Sequence, residues 1–70
     1  MERKNLWGKE YVEFKQNAKS EGYRYMVTYN PSSNFLEFVD RCFKTRKGAE
    51  RFYNSLASRG IEYRKIKEIQ

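Results

Sequence analysis

Apolar residues recur along the first third of the chain at helical spacing. Trp7, Tyr11, Phe14 and Ala18 are four, three and four positions apart, the stripe of a 3.6-residue repeat. Lys9, Glu10, Glu13, Lys15, Gln16 and Lys19 fill the remaining face, where water is the natural neighbour. Asn5 offers an N-cap and Gly22 a C-cap for this predicted helix, and Gly8 weakens its first turn. Tyr23 to Tyr29 is dense in strand formers. Asn30-Pro31-Ser32-Ser33-Asn34 is a turn, and Phe35 to Phe43 predicts the returning strand of a hairpin. Thr45 caps a second helix with the stripe Ala49, Phe52, Tyr53, Leu56 and Ala57, and Gly60 ends it. Ile61 to Ile69 predicts a last strand; Tyr63, Ile66 and Ile69 do not alternate in it, which leaves room for a bulge.

The order α-β-β-α-β predicts an α+β fold. Its expected form is a three-stranded mixed or antiparallel sheet, first strand in the middle, with two helices packed on one face. With Tyr29 opposite Phe35, the hairpin sorts Met26, Thr28, Leu36, Phe38 and Cys42 onto one face. Tyr23, Tyr25, Val27, Tyr29, Phe35, Glu37, Val39, Arg41 and Phe43 share the other, and a slip of one residue would remix the two sets. With helices on one side only, some rings must meet solvent. Tyr23, Tyr25 and Tyr29 then admit two readings: half-buried rings with wet hydroxyls, or a face on which unpaired bases or a partner protein could rest.

Seventy residues suggest one compact domain, 1–70, and limit the size of its core. An apolar share of 39% and an aromatic share of 17% set the chain apart from disordered tails. No run approaches the roughly 18 apolar residues of a membrane span, so no membrane partner is expected. The charged start Met1-Glu2-Arg3-Lys4-Asn5 lacks the apolar core of a secretory signal. A single cysteine, Cys42, allows no internal disulfide and points to a reducing, cytoplasmic setting. Its place in mid-strand suits packing better than nucleophilic attack.

The chain has no histidine, which removes the commonest general base and metal ligand. The glycine patterns of nucleotide-binding loops are also missing. No cofactor and no enzymatic activity are expected. One remote enzymatic reading remains, a metal-independent ribonuclease recruiting Tyr63, Arg64 and Lys65.

Charge sharpens the picture. The formal net charge is +6, and all of the excess is in residues 41–70, with nine basic and three acidic side chains. Arg41, Lys44, Arg46, Lys47 and Arg51 gather around the start of the second helix. That end of a helix is the positive pole of its dipole and disfavours cations, so local stability does not account for them. Open amides, the Thr45 hydroxyl and several cations together predict an anion site suited to phosphate. The plainer reading is a solvated basic turn.

The stretch Phe43-Lys44-Thr45-Arg46-Lys47-Gly48-Ala49-Glu50-Arg51-Phe52 resembles the F-x-T-x-x-x-A strand-to-helix junction of small phage and mobile-element proteins. One relative of that pattern is the arm-type DNA-binding domain of integrases, a three-stranded sheet followed by a helix, with the sheet inserted into a DNA groove. The present chain differs in its leading helix and its final strand. In size and element order it is similar to phage accessory proteins, anti-CRISPR inhibitors among them. The resemblance implies a small binding module. Its expected partner is nucleic acid or a nucleoprotein complex. The alternative is a protein inhibitor that contacts a host defence complex directly. An exposed edge strand would allow an oligomer.

Overall fold

The computed structural model describes residues 1–32 and 37–70. The C-terminal ends of the helices are set by glycines. The helix α1 (Gly8–Ser20) and the helix α2 (Arg46–Ser58) close in the same way. In α1 the Gly22 N–H donates to the Lys19 carbonyl and the Tyr23 N–H to that of Ala18. In α2 the Gly60 N–H donates to the Ala57 carbonyl and the Ile61 N–H to that of Leu56. Both are Schellman turns, and both need the left-handed backbone that glycine adopts freely, with φ +92° at Gly22 and +78° at Gly60. Tyr23 and Ile61 then fold back onto the core beside Ala18 and Leu56, respectively.

Among the described residues the sheet has four strands, one more than expected. In chain order they are β1 (Glu2–Lys4), β2 (Tyr25–Tyr29), β3 (Val39–Phe43) and β4 (Arg64–Glu68). Their spatial order is β1-β3-β2-β4, and every neighbouring pair is antiparallel. The strand β2 is central, as predicted, with its hairpin partner on one side and the last strand on the other. The added strand is the charged N-terminus. No apolar alternation announces Glu2-Arg3-Lys4, since all three side chains are exposed. Asn5 holds it in place: its N–H donates to the Phe38 carbonyl at 2.8 Å and its side-chain oxygen accepts from the Phe38 N–H at 2.9 Å. Asn5 is therefore a strand clamp, not the expected helix cap; Trp7 occupies the cap position of α1.

The hairpin register pairs Tyr29 with Val39 and Met26 with Cys42. Phe35, the partner expected for Tyr29, lies outside the described residues, as do Ser33, Asn34 and Leu36. The observed register differs from the expected one by an even number of positions, so the sorting onto two faces is kept within the strands. The ladder from Tyr25↔Glu68 to Tyr29↔Arg64 is regular, and β4 has no bulge. Tyr63 and Lys65 project from one face and Ile66 from the other, which is why the apolar residues there do not alternate.

The helices lie on opposite faces of the sheet, not on one. Met26 and Cys42 pack with Phe14 and Ala18 of α1 and with Ile69. Val27, Tyr29 and Val39 pack with Ala49 and Leu56 of α2. Successive residues of β2 thus feed different cores. The unbroken strand-forming run Tyr-Met-Val-Thr-Tyr is the signature of a strand covered on both sides. The sheet edges, β1 and β4, are rich in charge, a common way to discourage edge pairing. Among the described residues, no helix is long and apolar enough to cross a membrane.

Candidate nucleic-acid interface

The basic region begins where β3 runs into α2. Thr45 is extended, with φ −122° and ψ 150°, and caps the helix: its Oγ1 accepts from the Gly48 N–H at 3.1 Å. The Thr45 carbonyl takes the Ala49 N–H at 3.2 Å. Glycine suits position 48 because a Cβ there would stand 3.1 Å from Thr45 Oγ1, tight against the cap. The capping oxygen therefore already occupies one of the first-turn amides expected to meet an external anion.

The cations around this junction point in different directions. Arg46 is neutralised by the chain itself: its Nε donates to Glu50 Oε1 at 2.8 Å, one turn along the helix. That hydrogen bond and the Glu50 charge raise the Arg46 guanidinium above its already high ordinary pKa. Arg41 lies over the Phe52 ring at 4.6 Å and the Phe43 ring at 5.3 Å. Lys44 sits over the Tyr23 ring at 5.2 Å. Lys47 and Arg51 are exposed and have no ion-pair partner among the described residues. They fall with Asn54 and Ser58 at spacings of four, three and four, on the side of α2 opposite its apolar stripe. The six predicted residues thus do not converge on one point. Only Lys47 and Arg51 share the outer face of α2.

The tyrosines do not form one open surface. Tyr29 is buried, its ring edge-on to Phe52 at 5.4 Å between centroids. Its hydroxyl donates to Glu2 Oε1 at 3.3 Å. Burial, and secondarily the Glu2 carboxylate, push its pKa up. Tyr25 is half-buried beneath α2, whereas Tyr23 belongs to the core on the α1 side. The helix α2 covers the face that a one-sided arrangement would have left open. Tyr63, Arg64 and Lys65 are likewise split. Arg64 Nη1 donates to the Ile61 carbonyl at 2.8 Å and its guanidinium lies against Tyr53, on the α2 side. Tyr63 and Lys65 project from the other face.

On that other face is a feature the sequence reading missed. Beyond the N-terminal end of α1 the sheet is uncovered, and a groove of about 470 Å³ opens there. Trp7, assigned by periodicity to the helical stripe, is 68% exposed at its rim. Phe38 and Tyr63 meet edge-on at 5.2 Å along another wall. Lys65 and Lys67 project from β4 into the same space, and Asp40 and Thr28 form its floor. The available signal was the alternation Tyr63-x-Lys65-x-Lys67, which places one aromatic and two cations on a single face of a strand.

Cys42, on the same side of the sheet, is buried, and burial pushes its thiol up to about 11. Among the described residues no three Cys, Asp or Glu side chains are grouped to hold a metal ion. In comparisons with known proteins, no family model, no curated protein and no solved structure matches the chain.

Proposed function

We propose that the chain is a non-enzymatic binding module that engages nucleic acid, free or within a nucleoprotein complex, through the outer face of α2 and the adjoining end of β3. One observation carries this reading. Residues 41–59 contain six basic side chains and one carboxylate, Glu50, which is committed to Arg46. Lys47 and Arg51 are one helical turn apart, about 6 Å along the axis, and are free to meet successive phosphates. Arg41 and Lys44 lie against the rings of Phe52 and Tyr23 and remain exposed.

Binding of this kind is salt-dependent, and each phosphate contact contributes about 0.7–0.9 to the log–log slope. Fluorescence anisotropy with a labelled oligonucleotide tests it. Lys47→Glu combined with Arg51→Glu should abolish low-salt binding of a labelled DNA duplex and retention on heparin. Unchanged affinity in that double variant would overturn the reading. Arg46→Gln should have the smaller effect, because Glu50 already meets that charge.

A second reading is favoured by a different observation. Trp7, Val12, Tyr63 and Ile66 are large apolar residues left exposed, as on surfaces that meet other proteins. Under that reading the chain is an inhibitor of the phage type, contacting a host defence complex protein to protein. Weak heparin retention together with a salt-insensitive protein partner would favour it.

A further inference from the structure

We propose that the groove between the N-terminal end of α1 and β4 is a pocket for one unpaired nucleotide, with its base among the aromatic rings and its phosphate on Lys65 and Lys67. The inference rests on the nucleic-acid reading above but uses the opposite face of the sheet.

The groove's parts fit such an occupant. Trp7, Phe38 and Tyr63 give flat apolar walls, the surface on which a base without its partner stacks. An aliphatic ligand would fill the same walls. The charges select between them. Lys65 lies above the Tyr63 ring at 5.6 Å and the Lys67 ammonium donates to the Tyr11 hydroxyl, so both cations stand at the groove's margin. A ligand made only of apolar atoms would leave them unused, whereas an anionic group at that margin would meet them.

The floor is more specific. The register aligns Arg3, Asp40, Thr28 and Lys65 in one row across the four strands. Asp40 is only 4% exposed, yet no ion pair holds it among the described residues. Its one hydrogen bond is from Thr28 Oγ1 to Oδ1 at 2.6 Å. A carboxylate has about four acceptor positions, so Asp40 keeps acceptor capacity on the groove it lines, where water can meet it. A ligand that displaces that water must bring a donor in its place. The exocyclic amino group of cytosine is such a donor, whereas uracil presents a carbonyl oxygen at the same ring position. The groove should therefore prefer an unpaired cytosine to an unpaired uracil.

The chain has a single tryptophan, so Trp7 emission reports from the rim of this groove. The experiment titrates the whole chain with ten-residue oligocytidine and oligouridine, following Trp7 quenching and fluorescence anisotropy together. Saturable quenching is expected, with oligocytidine on the order of tenfold tighter, the scale of one specific base contact. Asp40→Asn, close in shape and able to donate or accept, should erase the preference while thermal unfolding shows the fold intact. Tyr63→Ala, at an exposed position, should weaken both oligonucleotides by roughly tenfold through lost stacking. Quenching that survives in the Lys47→Glu, Arg51→Glu double variant would support the pocket independently of α2. Anisotropy that reports binding without quenching or preference would overturn the pocket and leave the α2 reading standing. Absence of binding by both readouts would overturn both. Trp7 shielded by a protein partner but not by an oligonucleotide would overturn the pocket in favour of a protein-binding groove.

Discussion

The two helices are equal in length, thirteen residues each, and close through the same glycine turn, but they meet the sheet differently. On α2 the buried positions Ala49 and Leu56 have no solvent exposure, and Thr45 supplies a side-chain cap. On α1 the cap position is Trp7, which makes no capping hydrogen bond, and Val12 is left largely exposed. Their charges differ as well. Residues 8–21 contain three Lys and three Glu, for no net charge, whereas residues 44–59 contain five basic side chains and one Glu, for +4. The well-seated helix is therefore the one with uncompensated cations, and the lightly seated one leaves a groove beside it. Firm packing over Val27 and Val39 tolerates an electrostatically unfavourable helix start. Incomplete coverage of Thr28, Asp40 and Lys65 is what leaves space on the other side.

Truncation on each side should expose this difference most strongly. Leu56→Ala removes a fully buried side chain from the α2 core and should cost about 2–5 kcal/mol. For a domain of this size that is most of the available stability. Val12→Ala, on the outer part of α1, should remain within about 0.5 kcal/mol of the parent. Urea unfolding of both variants measures the gap. Equal losses would mean that α1 is anchored as firmly as α2.

The next largest effect belongs to the α1 side and is reached by pH. Cys42 has an ordinary thiol pKa of 9.0 when exposed, and burial raises it to about 11 in the folded chain. An acid whose pKa is raised by folding gives its full stabilisation below pH 9 and loses it as pH climbs through 11. Two units correspond to roughly 2–3 kcal/mol. Tyr29, on the α2 side, is shifted in the same direction by burial and by Glu2, so both layers weaken in alkali. Cys42→Ala separates them. Its melting temperature should start lower at pH 7 and fall less steeply than the parent's above pH 9. Parallel curves would show that the thiol does not carry the alkaline loss.

Much of this asymmetry is legible in the chain. Thr45, Gly60 and the stripe Ala49, Phe52, Tyr53 and Leu56 define α2 because capping and burial requirements agree there. The central place of β2 follows from its run of strand formers. Three features were hidden for physical reasons. Glu2-Arg3-Lys4 has no apolar face, and its pairing depends on Asn5 meeting Phe38, which no local pattern encodes. The placement of helices on opposite faces depends on Met26 and Val27 feeding separate cores, a tertiary choice that helical periodicity does not record. Trp7 has the right spacing for the α1 stripe but stands one position before the helix, so its ring leaves the core. Sequence position located five basic residues around the start of α2, but only atomic geometry separated Arg46, bound to Glu50, from Lys47 and Arg51.

The smallest expected effect is also the one that inverts ordinary expectation about side-chain size. Each helix has one residue at its N-cap, and each can be cut back to alanine. Thr45→Ala removes the oxygen that accepts the Gly48 N–H and should cost about 1 kcal/mol, the usual value of a lost cap. The cap geometry makes this specific, because Ala49 N–H keeps its bond to the carbonyl of residue 45 in either case. Trp7→Ala removes the bulkiest side chain in the molecule, but that ring makes no cap bond and is mostly in water. The Glu10 N–H keeps its bond to the backbone carbonyl of residue 7 whatever side chain stands there. Its loss should therefore shift stability by less than about 0.5 kcal/mol. Thermal unfolding of the two variants side by side decides the matter. A threonine that costs more than a tryptophan would show that the start of α2 is held by its cap. The reverse order would mean that Trp7 is seated in the groove, and that the open rim there is closed by the chain's own ring.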